Sequence, residues 1–138
     1  MPVQKKAQLH WVGWLVLMLA LIEGGWFAFD GGRALLMGDY VTPTSGPYAG
    51  QLGPWAEVVS AVGLEPRSTL MKSIHLALGL AWLGVVICFA LKLPRAWWGM
   101  LLCAVPGLWY LPFGTLLSIF QIALLLLPPV RRIGSGST

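Results

Sequence analysis

Apolar and polar positions alternate on a coarse scale along this chain. Apolar runs cover 11–29, 73–91 and 96–130, and one long polar stretch covers 30–72. A helix over 11–29 is about 28 Å long, close to the ~30 Å hydrocarbon thickness of a bilayer. This run predicts a first membrane span, ended by Asp30, Gly31 and Gly32. The run 73–91 predicts a second, with Ser68 or Thr69 as the capping residue before it and Lys92, Pro94 and Arg95 closing it. As one helix the third run would reach about 52 Å, too long for a bilayer core. Pro106 and Pro112, with Gly107 and Gly114 beside them, divide it into short spans at 96–110 and 113–130. The Trp109–Phe113 turn suits a membrane interface, where aromatic side chains collect.

The outer loop, 30–72, starts with turn signals such as Thr42-Pro43, Ser45-Gly46-Pro47 and Gly53-Pro54. Then Trp55, Val58, Val59 and Val62 fall at i, i+3, i+4 and i+7, behind a proline suited to a first helical position. They predict a short amphipathic helix stopped by Gly63. The expected fold is all-α: an integral membrane four-helix bundle with a short amphipathic helix in the extracytoplasmic loop between the first and second spans. It forms a single domain over 1–133, and the Gly-Ser-rich 134–138 reads as a linker outside it.

Composition supports lipid as the solvent. Hydrophobic residues make up 57%, charged residues 10%, and mean hydropathy is +0.76; soluble domains carry about 25% charge. A net charge of +4 does not imply a nucleic-acid partner, because the bases flank apolar runs and form no stripe. With four spans, Lys5, Lys6, Lys92, Arg95, Arg131 and Arg132 fall on the cytoplasmic side. The outer side holds Arg33, Arg67 and Lys72 with the acids Asp30, Asp39, Glu57 and Glu65. Three spans would export Arg131 and Arg132 against the positive-inside rule. The expectation is a multi-pass protein of the inner (cell) membrane with both termini cytoplasmic. The first run is too long for a signal-peptide core, and no A-x-A site follows it, so it reads as a retained span.

Two groups of residues carry candidate chemistry. Glu23 is an ionisable residue inside a span, where insertion costs on the order of 3 kcal/mol. Gln121 and Ser118 in the last span and His75 in the second are expected near its depth, forming an intramembrane polar cluster. Glue between helices is the favoured role, and a proton- or substrate-handling site the sharper one. The outer loop offers a candidate site of Arg33, Asp39, Tyr40, Arg67 and Lys72, read mainly as a folded cap whose charges pair. Small residues at Ala20, Gly24 and Ala28 and at Ser73, Ala77, Ala81, Gly84 and Cys88 form two stripes expected to pack on each other or on the final hairpin.

No metal site and no cofactor are expected. His10 and His75 lie at opposite ends of their spans, and neither has a companion at ligand spacing. GxSxG, the P-loop and GxGxxG are all absent. A four-span plan under a capping loop resembles the architecture of quinone-reducing thiol oxidoreductases. Their chemistry needs a CxxC, whereas Cys88 and Cys103 stand alone as inert apolar residues. Three functions remain. The favoured one is a non-catalytic accessory subunit or a binding module for a partner or lipid at the outer face. The second is a small transporter or channel subunit using Glu23. The third is an enzyme acting on a lipid or quinone at the outer rim. The expected partners are the lipid bilayer and either another membrane subunit or further copies of the chain.

Overall fold

The computed structural model describes residues 11–110 and 112–131, all of them helical or irregular with no strand. Lys5, Lys6, His10, Arg132 and the 134–138 linker lie outside the described residues. Four helices, α1 (Trp11–Met37), α3 (Thr69–Ala90), α4 (Ala96–Gly107) and α5 (Phe113–Leu125), pack in a ring in that order, and α5 closes it against α1. The seven-residue α2 (Trp55–Ala61) sits in the connection between α1 and α3, and α6 (Pro128–Arg131) is a final turn. The helices α1 and α3 are each long and apolar enough to cross a membrane, with mean hydropathy 1.8 and 2.1.

The first helix runs past the predicted stop. Asp30, Gly31 and Gly32 lie inside α1, which ends only at Gly38, a glycine with φ +96°. A helical glycine costs up to about 1 kcal/mol relative to alanine. At Gly31 close packing outweighs that, because a Cβ would lie 2.8 Å from the His75 Cβ. The Asp30 carboxylate reaches forward and accepts the Val41 amide at 2.7 Å, tying the following loop to the helix.

Other boundaries follow local chemistry. The Ser68 hydroxyl accepts the Met71 amide at 3.1 Å and starts α3. Lys92 and Arg95, both at positive φ, turn the chain between α3 and α4. Gly63, at φ +87°, stops α2 with its N–H on the Ser60 carbonyl. Of the apolar face read for α2, Trp55 and Val59 are buried, while Val62 is exposed.

The small-residue stripe of α3 requires a correction. Ser73, Ala77, Ala81 and Gly84 face outward. The inward face carries Met71, His75, Gly79, Trp82 and Phe89 instead. The bulky residues fill the space between four helices, and one small residue of α3 makes a close contact with the α1 backbone. It is Gly79, where a Cβ would come within 2.7 Å of the Ala28 Cα. The α1 stripe does face inward at Ala20 and Gly24, the latter against Trp82.

The surface of the bundle is apolar all round, with Trp14, Leu21, Leu80, Ile87, Leu102 and Phe120 each more than half exposed. Polar side chains lie inside it: Glu23, Asp30, His75, Ser118 and Gln121 are at most 3% exposed.

Candidate functional site

Three of the four residues read as an intramembrane cluster meet. Glu23, one turn before Phe27 on the buried face of α1, accepts the Ser118 hydroxyl at 3.0 Å and the Gln121 amide on its other oxygen. The bonds join α1 to α5, and the Gln121 Oε1 has no partner among the described residues. Both oxygens of Glu23 are thus engaged by the bundle itself, which suits a helix lock.

His75 stands apart from that cluster. Its Nδ1 lies 3.0 Å from the Met71 carbonyl, and Nε2 meets no hydrogen-bond partner among the described residues. Five rings surround it: Phe27, Tyr40, Trp55, Trp109 and Tyr110, with centroids 4.9–5.9 Å away. The rings come from α1, from the segment around α2 and from the α4–α5 turn, so this aromatic box is where the cap closes on the bundle. Its members share no regular spacing along the chain, so periodicity does not reveal it.

The five loop residues read as a second candidate site do converge, and they bond chiefly to the cap. Arg33 donates to the Asp39 carbonyl, and Lys72 donates to the Gly38 carbonyl. Arg67 pairs with the Asp39 carboxylate at 3.1 Å and also donates to the Gly50 carbonyl. The Tyr40 hydroxyl donates to the Pro66 carbonyl. Partial burial opposes ionisation of Asp39, but the Arg67 guanidinium and the Tyr40 amide prevail and hold its carboxyl below the ordinary value. Burial, then the nearby Asp30 and Asp39 charges, push the Tyr40 phenol well above its usual range.

Among the described residues three open cavities adjoin these elements: one of about 480 Å³ lined by Tyr48, Gln51, Glu65 and Arg67, and two that meet each other. A groove of about 530 Å³ runs between α1 and α5, walled by Ile22, Trp26, Phe29, Phe113 and Leu117, with Glu23 along its floor. A pocket of about 630 Å³ opens under the cap, walled by Asp30, Tyr48, Gln51, Trp55 and Pro112. Tyr110 and Phe113 line both, so the two spaces share a wall. Each has the volume of a small-molecule site. The Tyr110 hydroxyl accepts the Trp26 indole N–H at 3.0 Å, which pins the α4–α5 turn to α1 beside the groove. Of the candidate site residues read from the sequence, Glu23 lines the groove and Tyr40 lines the pocket. For Asp30 a signal existed: Glu23, Phe27, Asp30 and Ala34 fall on one helical face, all buried.

No group of three or more His, Cys, Asp or Glu that could hold a metal occurs among the described residues. Cys103 is buried, Cys88 is half-buried, and both are free thiols. No family model matches the chain, and neither do curated proteins or solved structures.

Proposed function

We propose that this chain is a small polytopic membrane protein that binds a lipid at its outer face, as a non-catalytic binding module. The observation that carries the binding role is the apolar α1–α5 groove sharing a wall with the more polar pocket under the cap. An amphiphile needs that pair of environments. The membrane setting is supported by an apolar perimeter around buried polar groups, the reverse of a soluble bundle.

In this reading all four long helices enter the bilayer, and both termini face the cytoplasm. The helices α4 and α5, of 12 and 13 residues, are about 18 and 20 Å long, shorter than the bilayer core. Their turn need not reach the outer surface. Trp55 of α2 stacks on Tyr110 at 5.6 Å, so the cap descends to cover it. Irregular backbone is tolerated at depth where protein surrounds it.

Gly25 provides the test. It lines the groove, and a Cβ there would meet nothing within 4 Å. Gly25→Leu therefore starts its side chain in open space on the groove wall. Gly84→Leu, also into open space but on α3, is the control. The protein is reconstituted with a lipid carrying a photoreactive diazirine in its acyl chain, and the labelled residues are mapped by mass spectrometry. Labelling should concentrate on groove residues such as Phe29 and Leu117, saturate with probe, and drop in Gly25→Leu alone. Uniform labelling around the perimeter, unchanged by Gly25→Leu, would mean ordinary boundary lipid and end the proposal.

A further inference from the structure

We infer that the lipid taken by this groove has an uncharged, hydroxyl-bearing head, and that the pocket under the cap selects it against anionic phospholipids. The inference rests on the lipid-binding reading above and adds the chemistry of the head.

The argument is one of charge complementarity. Anionic heads are held by Arg or Lys close to the membrane surface. Three such residues are described near the cap, and none lines this pocket, although Arg67 lines the neighbouring cavity on the other side of Tyr48 and Gln51. Each is committed to cap carbonyls: Arg33 to Asp39, Arg67 to Gly50, Lys72 to Gly38. These contacts hold the three cations against the cap and outside the lining of this pocket. The polar side chains that do line the pocket are Asp30, Tyr48 and Gln51. Asp30 is 1% exposed, and its Oδ1 is taken by the Val41 amide. No hydrogen bond reaches its second oxygen among the described residues. Burial raises the Asp30 carboxyl above its ordinary value, against the charge of nearby Arg33, and a second negative charge beside it would disfavour its ionised form further. A hydroxyl would find an acceptor in Asp30 and both donor and acceptor in Gln51.

The tail would then pass Tyr110 and Phe113 into the groove between α1 and α5. Its wall of Trp26, Phe29 and Leu117 offers apolar contact. Glu23 does not compete for the head, because Ser118 and Gln121 already occupy its oxygens.

The test compares heads on one diazirine tail. Diacylglycerol, phosphatidylglycerol and phosphatidylcholine probes are incorporated separately at equal mole fraction in phosphatidylcholine vesicles holding the full chain. A single net hydrogen bond of about 1 kcal/mol corresponds to roughly fivefold in occupancy. Groove labelling by diacylglycerol should therefore exceed that by phosphatidylglycerol by about that factor or more. Gln51→Lys, at an exposed position on the pocket wall, should reverse the order by supplying the missing cation. Asp30→Asn, which keeps an acceptor for the Val41 amide, should narrow the difference. Equal groove labelling by all heads, still sensitive to Gly25→Leu, would overturn this inference and leave lipid binding standing. A preference for phosphatidylglycerol in the unmodified chain would overturn it as well. Labelling no greater in the groove than on the outer face of α3 would remove both readings together.

Discussion

The cap and the bundle meet the same demand, partners for stranded backbone carbonyls, with different side chains. In the cap the charged donors Arg33, Arg67 and Lys72 reach the carbonyls of Asp39, Gly50 and Gly38, beside the neutral hydroxyls of Tyr40 and Ser68 on Pro66 and Glu65. In the bundle the donors are neutral. Pro129 has no N–H to return to Leu125, and the Trp97 indole takes that carbonyl at 2.7 Å. Pro112 likewise fails Leu108, and the Thr115 hydroxyl takes its place at 2.6 Å. Charged donors suit a segment in contact with water, which rehydrates them when a bond opens. Neutral donors suit an apolar interior, where a freed charge would have nowhere to go. The contrast teaches that cap contacts should be individually weak and exchangeable, whereas bundle contacts should be costly to lose.

The largest effect should come from the bundle's tightest contact. Gly79→Leu would drive a side chain into the Ala28 backbone and force α1 from α3. Overpacking costs about 1–3 kcal/mol, occasionally more, and here the obstruction is backbone that cannot rotate away. Loss of the folded species in detergent, read by size exclusion and thermal unfolding, is the expected outcome. A Gly79→Leu protein melting like the parent would refute the α1–α3 packing described above.

Next in size is the contrast itself. Trp97→Phe keeps one aromatic ring at a buried position, removes the indole N–H and leaves the Leu125 carbonyl without its donor, and the lost bond alone costs about 1–3 kcal/mol. Arg67→Gln breaks an ion pair whose side chains are both 44% exposed, and such pairs contribute about 0–1 kcal/mol. Thermal melts of the two variants in the same detergent should rank Trp97→Phe clearly below Arg67→Gln. The reverse order would mean that the cap, and not the hairpin, holds the molecule together.

The sequence made much of this readable where one residue settles local geometry. The Ser68 cap, the Gly63 stop and the Lys92–Arg95 break follow from capping and turn chemistry alone. What it concealed depends on which faces meet. The stripe Ser73, Ala77, Ala81 and Gly84 obeys a packing pattern yet faces outward, because Trp82 and Phe89 fill the interior better. Asp30 and Gly31 look like a helix end because their compensations, Val41 and His75, are distant in sequence. The roles of Trp97 and Thr115 had a legible half: any proline strands the carbonyl four residues earlier. Which donor arrives is decided by the tertiary fold.

The box around His75 tests how far aromatic packing alone accounts for a buried polar group. His75→Phe places another ring among five and removes Nε2, which has no partner among the described residues, together with Nδ1 and its contact to the Met71 carbonyl. Shape-conserving swaps of this kind usually cost less than about 1.5 kcal/mol. The variant should melt close to the parent and bind the acyl probe unchanged. A several-fold loss of labelling with stability intact would show that the imidazole acts on the ligand.

The smallest effect belongs to the cap's own charge pair. Asp39 is held below its ordinary value in the folded chain, chiefly by Arg67 and the Tyr40 amide working against partial burial. A carboxyl depressed by folding contributes stability that is complete above its unfolded value, about 3.9. That contribution fades as pH falls from there through the folded value. Between pH 7 and 5 the cap should therefore be indifferent to acid, and below about pH 4 it should loosen while the bundle, tied by neutral donors, persists. Trp55 is the one tryptophan of the 30–72 segment among eight in the chain, so its 19F resonance in fluorotryptophan-labelled protein, assigned with Trp55→Phe, should shift in that acidic window before helical circular dichroism changes. Asp39→Asn should flatten the step. A simultaneous loss of both signals would mean that cap and bundle open as one unit, and the division of labour between charged and neutral donors would have no energetic counterpart.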